Sequence, residues 1–143
     1  MKVLKKEASS KGAAERFTGD VWVDMIVEGP EPRLKVGVVR FSPGARTAWH
    51  RHAFGQTLHV TEGIGLVQAR GGETIVIRPG DTVYAPPGEW HWHGAAAEHF
   101  MTHLALSESS GDASVPDVEW GELVTDADYH NAARRDQNAR SAG

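Results

Sequence analysis

Apolar residues in this chain recur at every second position over short runs, and glycine or proline breaks the runs every few residues. Side chains on a strand alternate between its faces, so this spacing predicts strands rather than helices. From Phe17 to Val27 the residues Val21, Val23 and Met25 alternate with Trp22, Asp24 and Ile26, which suits one strand covered at least partly on both faces. Glu28 to Arg33 is a turn with two prolines and a glycine, and Leu34 to Phe41 is a valine-rich strand. Further strands are predicted for Thr47 to His52, Gln56 to Glu62, Gly63 to Arg70, Glu73 to Ile77, Thr82 to Ala85, around His91, and Glu98 to Leu106. Gly71-Gly72, Pro79-Gly80-Asp81 and Pro86-Pro87-Gly88 punctuate them. Many short strands between such turns predict an all-β fold of one domain, a small antiparallel barrel or sandwich.

The ends of the chain differ from this middle. Residues 1–33 read as an N-terminal segment with an edge strand, 34–108 as the barrel core, and 109–143 as a loop, a short helix and a tail. Ser107 to Asp117 is rich in Ser, Gly and Asp and is predicted to be a loop. Trp120 is placed to close one end of the barrel. Thr125-Asp126-Ala127-Asp128 has the form of a helix start, with Thr125 as N-cap and acids in the first turn. That helix is expected to reach about Arg135, with frayed residues from Asp136 onward.

Composition narrows the classes of function. The chain has 143 residues, 40% of them apolar, and a net charge of −4. This suffices for a core, and no basic face invites nucleic acid. Cysteine is absent, which excludes disulfides, thiol nucleophiles and thiolate metal sites. No run reaches the ~20 apolar residues of a membrane span, and no signal peptide is evident. A cytoplasmic protein acting on a small molecule is the expectation.

The residues that carry chemistry are histidines. His50 and His52 lie two apart on a strand and so share a face, with Gln56 just beyond and His91 further on. We read His50, His52, Gln56 and His91 as ligands of one divalent metal ion inside the barrel. For Gln56, a hydrogen bond to a ligand is the competing role. Three imidazoles do not choose among Zn, Fe, Ni, Cu and Mn. Three neutral imidazoles and a neutral amide leave the full charge on the ion, which favours anionic ligands and Lewis-acid chemistry.

Gly44-x5-His50-x-His52-x3-Gln56-x6-Gly63 resembles the first cupin motif, and Gly80-x5-Pro86-x-Gly88-x2-His91 resembles the second. Two positions depart from the pattern: Gln56 replaces the common glutamate, and Ala95 stands where the second motif ends in asparagine. Gly44 to His50, Gly55 to Leu58, His91 to Ala96 and Met101 to Ala105 are similar to the manganese-dependent cupin hydroxynitrile lyases, and so are Val118 to Trp120 and Val124 to Asp126. That resemblance implies reversible cleavage of a cyanohydrin to an aldehyde and hydrogen cyanide. It implies manganese as the metal, with iron, nickel or zinc as alternatives. It places Thr47, His93 and His103 around the open coordination positions, and Gly37 and Val39 on the aldehyde side of the pocket.

Imidazole suits the proton transfers that this reaction needs. His103 sits in an otherwise apolar strand and is the first candidate for the base, against a buried histidine bonded to backbone. His93 shares a face with His91, and a supporting role is open to it beside a catalytic one. Thr47 has two readings, a bond to a ligand oxygen or a cross-strand pair. A dioxygenase and a non-catalytic small-molecule binder are the rival functions. Trp49, Trp90 and Trp92 are expected to pack on the other face or on a neighbouring subunit. His59, His99 and His130 should point away from the site. Arg46, Arg51, Arg70 and Arg78 are read as solvated or ion-paired, and Asp81 as a turn cap. A homodimer or homotetramer is expected.

Overall fold

The computed structural model describes residues 1–29, 31 and 33–141, with side chains through Arg134. Two antiparallel sheets curl around one interior. The strands, in chain order, are β1 (Ser10–Lys11), β2 (Phe17–Thr18), β3 (Val21–Val27), β4 (Leu34–Phe41), β5 (Arg46–Thr47), β6 (His50–His52) and β7 (Gln56–Gly63). They continue with β8 (Gly65–Ala69), β9 (Thr74–Ile77), β10 (Thr82–Ala85), β11 (His91–Ala95), β12 (Met101–Glu108) and β13 (Val118–Trp120), and a helix α1 (Asp126–Ser141) follows. The first sheet has the order β1-β3-β4-β12-β7-β10. The second runs β13-β6-β11-β5-β2, with β8 also on β11 and β9 on β8. No helix among the described residues is long and apolar enough to cross a membrane.

Four details depart from the sequence reading, three of them for a long-range reason. The strand expected over Phe17 to Val27 is two strands in different sheets, β2 on β5 and β3 on β4. The chain changes sheets at Gly19, whose φ of +79° favours glycine and where a Cβ would lie 2.9 Å from that of Ala45. The strand expected from Thr47 to His52 breaks at Ala48-Trp49, because those two amides bond the carbonyls of Arg16 and Glu122. Residues 118–120 form a strand that pairs with β6, which no local alternation announced. The helix continues past Arg135 to Ser141. Its start is as expected: Thr125 Oγ1 accepts from the Asp128 amide at 3.1 Å, and Asp126 and Asp128 are in the first turn.

The strand register explains where the interior is filled and where it is hollow. On the inner face of the first sheet, Val21 pairs with Phe41 and Phe41 with Met101, all buried, and this layer closes one end. One step up, Val23, Val39, His103 and Val60 lie abreast. The next layer sets Met25 against Gly37, Gly37 against Ala105, and Ala105 against Leu58. Two of the smallest side chains thus sit side by side, and space opens there. The last layer is polar, with Lys35 against Ser107 and Ser107 against Gln56.

A second cluster lies behind the other sheet. Trp92, the residue of β11 that faces outward between two inward histidines, is fully buried against Leu66, Val124, Tyr129 and Ala132 under α1. Burying such a ring is worth roughly 4–6 kcal/mol before entropy is counted. Its indole N–H donates to Gln68 at 3.0 Å, and the Tyr129 hydroxyl donates to the Ala95 carbonyl at 2.8 Å. Arg46 is ion-paired to Asp126 but is not a surface residue; it is only 4% exposed. It donates to the Val124 carbonyl at 2.8 Å and stacks 4.5 Å over the Tyr129 ring. This clamp holds α1 against the strands that carry the histidines.

Candidate metal centre

Strands β6 and β11 are neighbours in register, with His50 opposite His91, and both point their imidazoles into the hollow end. Gln56 begins β7 on the facing sheet and reaches the same point. Its Oε1 is 3.0 Å from His91 Nε2 and 3.4 Å from His50 Nε2. The His52 ring packs against both, at centroid distances of 5.3 Å from His50 and 6.0 Å from His91. Ring nitrogens of His50, His91 and His93 lie within 4.8 Å of one another. The structure thus brings His50, His52, Gln56 and His91 together, and adds His93 to the cluster.

The tautomers follow from the partners. His50 Nδ1 is 2.9 Å from the Ala48 carbonyl, and His91 Nδ1 is 2.9 Å from the Glu89 carbonyl. A carbonyl oxygen only accepts, so each Nδ1 carries the proton and each Nε2 presents a lone pair inward. Burial keeps these rings uncharged. It pushes His50 down to about 3, helped by the neighbouring His91, and His52 down to about 4. His91 is lowered by burial as well. Two lone pairs and an amide oxygen therefore face one another. A cation resolves that arrangement, as would a Gln56 amide turned end for end to donate. The turned amide would still leave His52 Nε2 and His93 Nε2, both buried, without a hydrogen-bond partner. The donor set is neutral, nitrogen-rich and desolvated, and it fits a divalent transition ion.

Beside the cluster is a cavity of about 200 Å³. His50, His52, Gln56, His93, Thr47 and Trp120 bound its polar side, and Gly37, Val39, Met25 and Ala105 are on the apolar side. Trp120 covers His50, ring to ring at 4.7 Å. Thr47 Oγ1 accepts the His93 amide at 3.2 Å, which leaves its own proton free for a ligand in the cavity. His103 does not line the cavity. It is fully buried between Val39 and Val60, packs on Phe41, and its Nε2 is 3.0 Å from His93 Nδ1. His103 therefore meets the cavity only through His93. Burial lowers His103 to about 4 and His93 well below the usual imidazole value.

Sequence reasoning put Trp120 at one end of the barrel but did not name Phe17, Val23, Met25, Lys35, Ser107 or Val118 as walls of the cavity. Parity was a signal for four of them: Val23 and Met25 share a face with Val21, Lys35 is two residues before Gly37, and Ser107 is four after His103. His59, bonded to Thr82 on the outer surface, and exposed His99 and His130 take no part. Asp81 caps its turn by accepting the Arg78 amide at 2.8 Å.

Comparison with known proteins agrees with this geometry. A cupin domain family profile matches residues 37–104. The chain is 49% identical over 130 residues to an (R)-mandelonitrile lyase of Granulicella tundricola, covering 90% of this chain and 97% of that protein. A crystal structure of a cupin-like protein from Thermotoga maritima superposes with a TM-score of 0.80 at 37% identity, over 92% of this chain and 97% of that one. A polyketide cyclase from Streptomyces resistomycificus shares the fold, with a TM-score of 0.67 at 19% identity over 91% of each chain. From its paired motifs, its curled antiparallel sheets and these relatives, the chain belongs to the cupin family.

Proposed function

We propose that this cupin is a metal-dependent lyase that reversibly cleaves a cyanohydrin to an aldehyde and hydrogen cyanide. The observation that carries the reading is the convergence of His50, His91 and Gln56 beside a small, largely apolar cavity that His50 and Gln56 line. The 49% identity to a mandelonitrile lyase supports it. His50, His52, Gln56 and His91 would hold the ion, manganese by resemblance. When bound, such an ion supplies Lewis acidity, undiminished by any charged ligand.

The chain's own residues do the rest. Gly37, Val39, Met25 and Ala105 exclude water around the substituent of the substrate. Thr47 Oγ1 donates to the substrate oxygen. We assign the proton to the His93–His103 pair rather than to His103 alone, since His93 is the member at the cavity. His93 takes the cyanohydrin hydroxyl proton at Nε2, and His103 Nε2 accepts a hydrogen bond from His93 Nδ1 as charge builds. The C–CN bond breaks with its electron pair leaving on cyanide, and the pair returns the proton to give hydrogen cyanide. Low imidazole basicity suits that return.

The test is anaerobic. Metal-loaded protein is mixed with mandelonitrile, and benzaldehyde is followed by absorbance. Turnover without oxygen is expected. No turnover, with oxygen uptake on a flavonol or diketone, would overturn the reading in favour of a dioxygenase. We also propose a homodimer or homotetramer. Trp22 and Ile26 are exposed on the outer face of the first sheet, beside half-buried Val36, Val38, Leu104 and Leu106. Sedimentation equilibrium checks this; a monomer at micromolar concentration would refute it.

A further inference from the structure

The rim of the cavity holds a charge that the reaction above does not use. Lys35 is on the inner face of β4, two residues before Gly37, and among the described residues lining the cavity it alone carries a full charge. A lysine drawn partly out of water at the rim of the cavity costs solvation unless it is partnered. Its partner is Asp117, with Nζ 2.8 Å from Oδ2, and both side chains are mostly buried, at 30% and 18% exposure. Asp117 is itself fixed, accepting the Ser110 amide at 2.8 Å. An ammonium group has three donors, and Asp117 occupies one. Ser107 lies directly opposite Lys35 in register, and Gln56 directly opposite Ser107. Two strand spacings, about 10 Å between backbones, thus separate the Gln56 end of the rim from the Lys35 end.

We propose that Lys35, held by Asp117, is a specificity residue that selects an aldehyde, or its cyanohydrin, bearing a hydroxyl group remote from the reacting carbon. This rests on the aldehyde reading given above. Lys35 lines the cavity and donates to the hydroxyl oxygen, while Asp117, behind it, holds the ammonium group in place. Asp117 already balances the charge of Lys35, so no net charge is left there to favour a carboxylate over a neutral hydroxyl. One aromatic ring substituted at opposite ends spans from the histidine cluster to Lys35, with Gly37 and Ala105 beneath it.

The experiment is equilibrium binding of 4-hydroxybenzaldehyde and of benzaldehyde to the metal-loaded protein, read by quenching of tryptophan fluorescence. A hydrogen bond to a charged group makes the hydroxylated aldehyde bind about tenfold tighter to the wild type. In Lys35→Met that ratio falls to near one while benzaldehyde affinity holds within about twofold. Lys35→Arg keeps the preference. A wild-type ratio near one, no binding of either aldehyde, or a ratio unchanged in Lys35→Met would each overturn the proposal. Equal weakening of both aldehydes in Lys35→Met would do the same, since it marks a merely structural residue. Mandelonitrile turnover, run in parallel, separates this outcome from the lyase reading: a preserved ratio without cleavage sinks the lyase and leaves the recognition site standing.

Discussion

Replacing Gln56 by glutamate tests the neutral donor set at one atom. The change is isosteric, and the side chain is only 7% exposed, so the new charge is poorly screened. It would lie 3.0 Å from His91 Nε2 and 3.4 Å from His50 Nε2. At an effective dielectric near 20, a carboxylate and an imidazolium at 3 Å attract by about 5 kcal/mol. Desolvating the carboxylate returns several kcal/mol of that gain. The remainder opposes the effect of burial on His91 and raises it from its lowered value. The same charge draws a divalent ion more strongly while cancelling half of its charge. Gln56→Glu is therefore expected to bind manganese at least tenfold tighter at pH 7.5 and to cleave mandelonitrile at least tenfold more slowly, a margin of about 1.4 kcal/mol in each. Equilibrium dialysis and anaerobic absorbance give the two numbers. A variant that binds manganese more weakly, or that turns over faster, would refute the argument that the amide keeps the ion's charge intact.

Other residues give independent checks. His103→Asn should retain metal and lose about 10²- to 10⁴-fold in cyanohydrin cleavage, because the partner of His93 Nδ1 is altered while the ion's ligands are untouched; elemental analysis beside kinetics reads both. The metal-free protein should lose stability as pH falls. His103 is lowered from 6.5 to about 4, so the unfolded chain binds the extra proton first; the stability is whole above pH 6.5, declines through the interval, and is lost below about 4. The loss approaches about 3 kcal/mol for His103 alone, visible as a falling Tm, and a flat Tm from pH 7 to 4.5 would contradict it. Arg46→Met should destabilise the fold by about 2–4 kcal/mol, since it strips the Val124 carbonyl of its donors under α1. The exposed end of the ion pair, Asp126, contributes little to that figure, so Asp126→Asn should shift Tm far less.

The parts of this protein legible in its sequence are those set by local period and short spacing. Parity alone places His50 with His52 and His91 with His93, and the Gly/Pro turns mark most strand ends. What was hidden depends on partners far away in the chain. The chain leaves one sheet for the other at Gly19, where φ is +79°, because β2 pairs with β5 and β3 with β4, and the strand at Ala48-Trp49 breaks because Arg16 and Glu122 take their amides. Residues 118–120 are a strand only because β6 has a free edge there. Arg46 reads as a surface charge until Tyr129 and Val124 close over it. His103 was recognisable as unusual in an apolar strand, but its place behind His93 follows from the pairing of β12 with β4 and β7. The ion pair of Lys35 with Asp117 joins residues 82 positions apart, from 117 − 35, and no local pattern signals it.

The central claim is that His50, His52, Gln56 and His91 hold a divalent ion. Elemental analysis of protein expressed with manganese and then dialysed tests it most directly, with His91→Ala and the surface change His59→Ala in parallel. The account predicts metal stoichiometric with the chain in the wild type and in His59→Ala, and its loss in His91→Ala. Wild-type protein that keeps no ion, or a His91→Ala variant that keeps as much as the wild type, would contradict it.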